Sequence, residues 1–587
     1  MEEKMCGIAG ILNKNNHGVT EDLILMLSCM HNRGPDGVAI QVGENRRSSM
    51  ESSELSSPYT DGRFGLGHVR LAIVGGQLGK QPFTSCDGRL TLEHNGEIYN
   101  HKEIRNRLTT THNFVSSSDS EVILHLLEEK LAQSASLLEA ITKMAKTLDG
   151  VYGIAVKDHK TGEIALVRDL LGVRQLYYSD DPEQVTFASE QKAIWLLGGN
   201  KSVRRVMPGH AVIISNKGSL IEHRIAEPPS SLKSDKVDFR YNTLEQALKA
   251  YKKSLISAMR KRTEGLDRIG IIFSGGIDSV LVAWLAKDLA KEVICYNAGT
   301  LDSSDILFAR KVADDLQLKL VVNVITKRST EEMLPKIIHA IEERDAVQVE
   351  VALPIYSAMA MAKKDHIKVV FSGQGVDEIF GGYPWYPKIV ASEGYSSLRN
   401  HMIEDLFLLY KETLEREDKT TMAHGIEMRE PYLDINVIDT AFDMNPRLNI
   451  TGPDDTLGKQ VHRKLAAELG IPKEIAYRNK SAAQHGSGMH FIIDEIAREK
   501  GFTESTISSG YVRQLEKREL LGSSQRYGFK YGNKELWQTA PHIQLYLDKI
   551  FEGVFGKSST SIDTSDEEYL LTNRIIRKSS SLTGPGK

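Results

Sequence analysis

Apolar residues in the first 225 positions come in short runs. Gly65–Val74, Leu90–Glu93, Val151–Lys157, Glu163–Arg168, Leu176–Ser179 and Ala211–Ser215 are apolar or alternating, and Gly, Asn, Asp or Pro bounds them. That punctuation predicts strands. Helical periodicity marks Glu21–Met30, His101–Leu108, Ser120–Glu129 and Leu137–Leu148. The polar, Ser-rich stretch 43–62 reads as a flexible surface insertion. From Tyr241 the pattern changes. Helix-like Leu244–Arg262, Val280–Leu289, Glu331–Glu343 and Ile355–Lys363 alternate with apolar runs at 269–273, 292–297, 320–325 and 368–371. Unbroken apolar strands between helices predict a parallel sheet covered on both faces. Residues 398–550 read as mainly helical, and the Ser/Thr-rich residues 557–587 as disordered in part.

These patterns divide the chain into a domain at 5–225, a Pro- and charge-rich linker at 226–240, a second domain at 241–550 and a tail at 551–587. A length of 587 residues is itself too great for one compact core. Seventy-four basic and 78 acidic residues leave a net charge of −4, which argues against a dedicated nucleic-acid binder. The four cysteines Cys6, Cys29, Cys86 and Cys295 contain no CxxC pair, which argues against a disulfide scaffold or a structural zinc site. They suit the reducing cytosol, and a cytoplasmic location is expected. No apolar run approaches the ~20 residues of a membrane helix, and MEEKMCGIAG lacks the form of a secretory signal.

The sharpest motif is SGGIDS, Ser274–Ser279, between the apolar run 269–273 and a helix. Glycines there let the backbone approach an anion, and a helix N-terminus points free N–H groups at it. Asp278 would repel bare phosphate but suits a divalent cation between carboxylate and phosphate. SGGxDS after a parallel strand resembles the signature of the ATP pyrophosphatases. A second segment, FSGQGVDEIFGGY at 371–383, resembles the SGEGxDExFxGY segment of asparagine synthetases, as do REPYLD at 429–434 and RNK at 478–480. In the first half, MCGI (5–8), RGPDG (33–37), HVRLAIV (68–74), NGEIYNH (95–101) and SSDSEVI (117–123) resemble, in order, the motifs of class II glutamine amidotransferases. RDLLGVRQLYY, FASEQKAI and Pro208-Gly209 extend that resemblance.

The resemblance implies an α/β two-domain fold. Its first half is an αββα sandwich of the N-terminal nucleophile hydrolase type. Its second half is a doubly wound parallel sheet of the ATP pyrophosphatase type, with a helical C-terminal region. It implies a glutamine-hydrolysing amide ligase of the asparagine synthetase type. Cys6 would be the nucleophile with its own α-amine as base, whose pKa of ~7.7–8.0 suits that task near neutral pH. Asn95 and Gly96 would form the oxyanion hole. Glutamine would be held by Arg70, Ile73, Val74, Asn95, Gly96, Glu97 and Asp119. ATP would lie against Phe273, Ser274, Gly275, Gly276, Asp278, Ser279, Ala298, Ser372 and Gly373. Asp278 and Asp377 would hold Mg²⁺, and Lys480 would steady the departing pyrophosphate. The implied partners are glutamine, aspartate and ATP, with no nucleic acid and no membrane, and a homodimer is an assembly such enzymes often form.

Four features depart from the family pattern. Met1–Lys4 precede Met5-Cys6, and an α-amine on Met1 cannot serve Cys6. The expected resolution is initiation at Met5 followed by its removal. Gln374, at the acceptor or intermediate site, stands where asparagine synthetases carry a Glu, and an amide is a poor base. Glu378 and Glu350 are candidates to replace it. Glu350 also falls near the family's aspartate-binding arginine, where an acid would repel a carboxylate. Gln175 replaces a proline. These departures keep open a related amidotransferase or β-lactam-forming enzyme with a different acid acceptor, and a non-catalytic relative.

Overall fold

In the computed structural model, residues 4–43, 45–55, 61–72, 81–198, 202–232, 238–478, 486–519, 530–531, 534–535 and 540–556 are described. The predicted tail beyond 556 and the RNK lysine, Lys480, lie outside them. The strands of the first half are β1 (Lys4–Asn13), β2 (Val38–Val42), β3 (Asn45–Ser49), β4 (Phe64–Ala72), β5 (Phe83–Thr84), β6 (Leu90–Ile98), β7 (Gly150–Asp158), β8 (Ile164–Arg168), β9 (Tyr177–Asp180), β10 (Gln184–Ala188), β11 (Val203–Arg205), β12 (His210–Ile214) and β13 (Leu220–Arg224). They form two antiparallel sheets, in the orders β11-β9-β10-β1-β4-β2-β3 and β13-β12-β8-β7-β6-β5.

The alternation along β1 explains the layering. Ile8 and Leu12 share a buried cluster with Leu166, Val212 and Ile214 of the other sheet. Ala9 and Ile11, on the opposite parity, pack with Leu23, Met26 and Leu27 of helix Thr20–Cys29. On the far side, Leu90 and Leu92 pack with Ile123 and Leu127 of helix Asp119–Ala132 and with Ile141 of helix Leu137–Ala145. The result is the four-layer helix–sheet–sheet–helix sandwich that the resemblance implied. Two expectations need correction. Residues 45–49, inside the expected insertion, form edge strand β3 on β2; backbone pairing here overrides a polar composition. The strand expected at Leu90–Glu93 continues to Ile98, because buried His94, Asn95 and Glu97 find polar partners that the hydrophobic pattern does not register.

The second half is built on β14 (Arg268–Ile272), β15 (Glu292–Gly299), β16 (Lys319–Val324), β17 (Val369–Phe371) and β18 (Glu427–Arg429), all parallel, in the order β16-β15-β14-β17-β18. Ile269 and Ile271 pack on one face against Leu255 and Val280. Ile294, Tyr296 and Val370 pack on the other against Leu334, Ile338 and Val349. The chain leaves β14 in one direction for β15 and β16 and returns on its other side as β17 and β18. The switch point is therefore the gap between the ends of β14 and β17, where open α/β sheets bind ligands. The helix expected from Val280 begins at Ile277, placing Asp278 in its first turn. The region expected to be mainly helical also contains β18 and a π-helical turn at Tyr410–Leu414. No described helix is long and apolar enough to cross a membrane.

The two halves meet through buried ion pairs on helix Glu415–Met422. Asp418 pairs with Arg33 (2.9 Å) and Arg174 (3.2 Å) and accepts from the Gln175 amide (2.7 Å). Glu415 accepts from Arg168 (3.0 Å), Arg205 (3.1 Å) and the Tyr177 hydroxyl (2.7 Å). Gln175 thus contacts the second half directly, an interaction a proline there could not make. Burial raises the Glu415 pKa, but the charges of Arg205, Arg168 and Lys419 outweigh it and bring it to about 2. Removing one partner of such a set leaves uncompensated buried charge. Asp418→Ala is expected to destabilise the chain by about 3–5 kcal/mol, read by denaturant unfolding. A loss below ~1 kcal/mol would mean that the pairs are not buried in solution.

Candidate active sites

Cys6 is fully buried. Its parity with Ile8 and Leu12 turns its side chain toward the gap between the sheets. Its backbone nitrogen donates to Asn95 Oδ1 on β6 (3.3 Å), so this contact spans the two sheets. Asn95 Nδ2 lies 3.5 Å from Ser189 Oγ, which accepts the Ile8 N–H (3.0 Å). Arg33 Nε donates to the Cys6 carbonyl (3.3 Å). Arg70 stands opposite Cys6 in the β1–β4 register and shares its face. Its backbone holds the Arg33–Gly37 loop through Asp36 N–H (2.9 Å) and Gly37 C=O (2.8 Å).

Gly96 sits within β6, not in a turn, at φ +151°, and a Cβ there would come within 2.0 Å of Val151 O. Only glycine fits without moving β7. Asp119 is buried at the start of its helix; its Oδ2 accepts the Ile98 N–H (2.9 Å) and its Oδ1 the Ser120 N–H (2.8 Å). Glu97 is turned to the other half, where its Oε2 accepts from Arg429 (3.3 Å). The structure thus brings Cys6, Arg70 and Asn95 together and hangs Asp119 on the end of β6. Ile73 and Val74 lie outside the described residues. Arg33 and Ser189 lay inside recognised motifs, RGPDG and FASEQKAI, but nothing in their spacing marked them as neighbours of Cys6.

The second site lies at the switch point. The loop Ser274–Gly276 follows β14, and its hydroxyls are tied inward: Ser274 Oγ accepts the Gly276 N–H (3.3 Å) and Ser279 Oγ donates to Gly276 O (3.0 Å). Phe273 O accepts from the Asn297 amide (2.7 Å) on β15, which ends beside it at Ala298 and Gly299. After β17, Ser372 and Gly373 pass over the helix start. A Cβ on Gly373 would lie 2.9 Å from the Ser279 nitrogen. The two motif acids converge: Lys459 Nζ lies 2.8 Å from Asp278 Oδ2 and 2.7 Å from Asp377 Oδ1. Tyr432, from REPYLD, donates its hydroxyl to Asp278 O (2.9 Å). Lys459, in the unremarkable segment DTLGKQ, had no signal in the sequence.

Several buried acids of the second half lie near these motif residues or pair with other side chains. Gln374 Nε2 donates to Glu417 Oε1 (2.5 Å), so a buried carboxylate from a distant helix adjoins the position where the expected Glu is missing. Glu350 accepts from His490 Nδ1 (2.9 Å), and Glu378 from the Tyr383 hydroxyl. Burial, then the neighbouring Asp377 charge, pushes the Glu378 pKa up to about 7. Glu430 is pushed up to about 8 by burial and by Asp418 and Glu417, against the pull of Arg174 and Arg262.

Residues 5–212 match the glutamine amidotransferase domain family, and residues 250–395 and 389–548 match the asparagine synthase family. A Methanocaldococcus jannaschii protein named for a glutamine-hydrolysing asparagine synthetase is 34% identical over 554 residues, covering 86% of this chain and 97% of its own. The glutamine-hydrolysing asparagine synthetase of Zea mays is 29% identical, over 94% of this chain and 87% of its own. A similarly named Schizosaccharomyces pombe protein is 30% identical over 72% of this chain and 77% of its own.

The raised Glu430 pKa has a consequence for stability. The folded state retains this proton between the ordinary carboxylate range and about pH 8, whereas the unfolded chain has released it. The stabilisation is therefore full at low pH and is lost as pH rises through about 8. Glu378 adds a parallel slope that ends near pH 7. Glu430→Gln is expected to flatten the fall in Tm between pH 5 and 8.5, measured by differential scanning fluorimetry. An unchanged slope would show that Glu430 is ionised in the folded protein.

Proposed function

Because this chain belongs to the family of glutamine-hydrolysing asparagine synthetases, we propose that it makes asparagine from aspartate, glutamine and ATP, with glutamate, AMP and pyrophosphate as the other products. The observation that carries this reading is the meeting of the Ser274–Ser279 loop and the Ser372–Asp377 segment at the switch point, in the same chain that sets Cys6 against Asn95.

At the first site Cys6 attacks the glutamine side-chain amide. Its α-amine takes the thiol proton, which requires a chain that begins at Cys6; the native protein is expected to show that mass. The Cys6 nitrogen already lies beside Asn95 (3.3 Å), in reach of the atoms it serves. Asn95 and the Gly96 N–H stabilise the oxyanion. Arg70 takes the substrate carboxylate, and Asp119 takes the ammonium. Glu97 serves indirectly, through Arg429.

At the second site ATP activates the aspartate β-carboxylate as an adenylate, and ammonia from the first site displaces AMP. The Ser274–Ser279 loop and Gly373 lie against the phosphates, and Lys480 steadies the departing pyrophosphate. Asp278 and Asp377 would hold Mg²⁺. They fit it because the two carboxylates already converge on one cation, the Lys459 ammonium. Mg²⁺ supplies charge neutralisation on the pyrophosphate oxygens. Glu417 replaces the missing glutamate as the acceptor of the ammonia proton, with the Gln374 amide orienting the nucleophile.

A matched assay with aspartate, ATP–Mg²⁺ and either glutamine or ammonia tests this. Cys6→Ala is expected to lower the glutamine-dependent rate by ~10³-fold or more and keep the ammonia-dependent one, while Asp278→Ala loses both. Pyrophosphate release with another acid but not with aspartate would overturn the acceptor. Glu417→Gln is expected to lower ammonia-dependent kcat by ~10²-fold while glutamine hydrolysis persists. An unchanged kcat would exclude Glu417 as the base.

A further inference from the structure

We propose that Cys86, His112, His125 and Glu128 form a tetrahedral site for a borderline divalent transition cation, zinc foremost, on the glutaminase half and apart from both active sites. Cys86 lies in the turn between β5 and β6, where Gly88 N–H bonds to Ser85 O (3.0 Å). His112 lies in the segment that precedes helix Asp119–Ala132. His125 and Glu128 stand three residues apart on that helix and so share a face. One ligand atom from each of the four lies within 4.8 Å of every other.

The distances resemble a coordination shell. Cys86 Sγ is 4.0 Å from His112 Nδ1 and 3.9 Å from His125 Nδ1. Glu128 Oε2 is 3.3 Å from His112 Nδ1 and 2.5 Å from His125 Nδ1. Bond lengths of ~2.3 Å to sulfur and ~2.0 Å to nitrogen or oxygen place tetrahedral ligand atoms ~3.3–3.6 Å apart. Binding therefore asks the sulfur to move inward by a few tenths of an ångström, and the His125–Glu128 hydrogen bond to open. A thiolate, a carboxylate and two neutral imidazoles match the charge of a divalent cation.

The outer contacts are an independent sign. Both histidines turn Nδ1 to the common centre and Nε2 to a second carboxylate. His112 Nε2 faces Glu129 Oε1 (3.5 Å) and Thr110 Oγ1 (2.7 Å), and His125 Nε2 faces Glu121 Oε1 (3.7 Å). The Thr110 bond orients the His112 ring, while Glu121 faces His125 Nε2 at 3.7 Å without a hydrogen bond to it. Glu121 and Glu129 are themselves anchored by backbone N–H groups of Val115, Ser116, Thr109 and Thr110. Cys86 Sγ accepts the Asn113 N–H (3.4 Å), a bond that suits a thiolate. A plain histidine–carboxylate hydrogen-bond network explains the His125–Glu128 contact. It does not explain a sulfur and two Nδ1 atoms aimed at one point. The absence of a CxxC pair does not bear on this site, because its ligands come from three separate segments. Cys86 is exposed, so a cation reaches it from solvent. The bound ion would tie a turn and a loop to the helix whose first residue is Asp119.

Cobalt(II) titration of the full, chelator-treated chain tests the proposal. One equivalent with a thiolate-to-cobalt charge-transfer band is expected, kept in Cys6→Ala and lost in Cys86→Ser and His125→Gln. No band, or a band that survives in Cys86→Ser, overturns the site. Wild-type protein supplies a second readout that needs no variant to fold. Zinc at ~10 times its Kd is expected to slow alkylation of Cys86 by ~10-fold, measured by peptide mass. An alkylation rate unaffected by zinc overturns the proposal.

Discussion

The docking of the two halves depends on two buried acids, Glu415 and Asp418, set one turn apart on a helix of the second half. Between them they receive Arg168, Arg205 and Tyr177, and Arg33, Arg174 and Gln175, all from the first half. Desolvating so many charges is unfavourable unless nearly all are paired. Any docking of the halves that left one of these charges unpaired is therefore penalised. Arg33 carries that constraint to the chemistry, since the guanidinium that pairs with Asp418 also donates to the Cys6 carbonyl. Arg429 does the same in reverse, reaching from the second half to Glu97 beside the Asn95–Gly96 pair.

Within the second half the governing constraint is topological. A parallel sheet that reverses its winding between β14 and β17 leaves a crevice at that point, and the chain places an acid just beyond each of those two strands. Like charges brought this close need a counter-charge, which Lys459 provides from a residue at φ +52°. The lysine meets that electrostatic need from within the chain. This explains why an ammonium as buried as Lys459 is tolerated.

The sequence revealed most where function depends on local backbone. SGGIDS, NGEIYNH and the order of the amidotransferase motifs were legible because glycines, turns and strand ends must occur at fixed offsets. The alternation of strands and helices after Tyr241 made the parallel sheet legible for the same reason. Contacts between distant segments were not legible. Lys459, Glu417 and Ser189 each act on a residue far away in the chain, and a lone Lys, Glu or Ser carries no periodicity. Edge strand β3 was missed because its pairing uses backbone groups that every residue owns. Strand β6 was cut short because its buried polar residues look, in one dimension, like the end of a hydrophobic run.

The Arg33 bridge has a consequence for how such a chain can change over time. A guanidinium shared between the Cys6 carbonyl and the opposite half couples the two halves through one side chain. A glutaminase half transplanted from a relative would bring its own arginines to a helix that must already present acids at the matching turns. A change at Arg33, Arg174, Gln175, Glu415 or Asp418 alone would leave a buried polar partner at this seam without its mate.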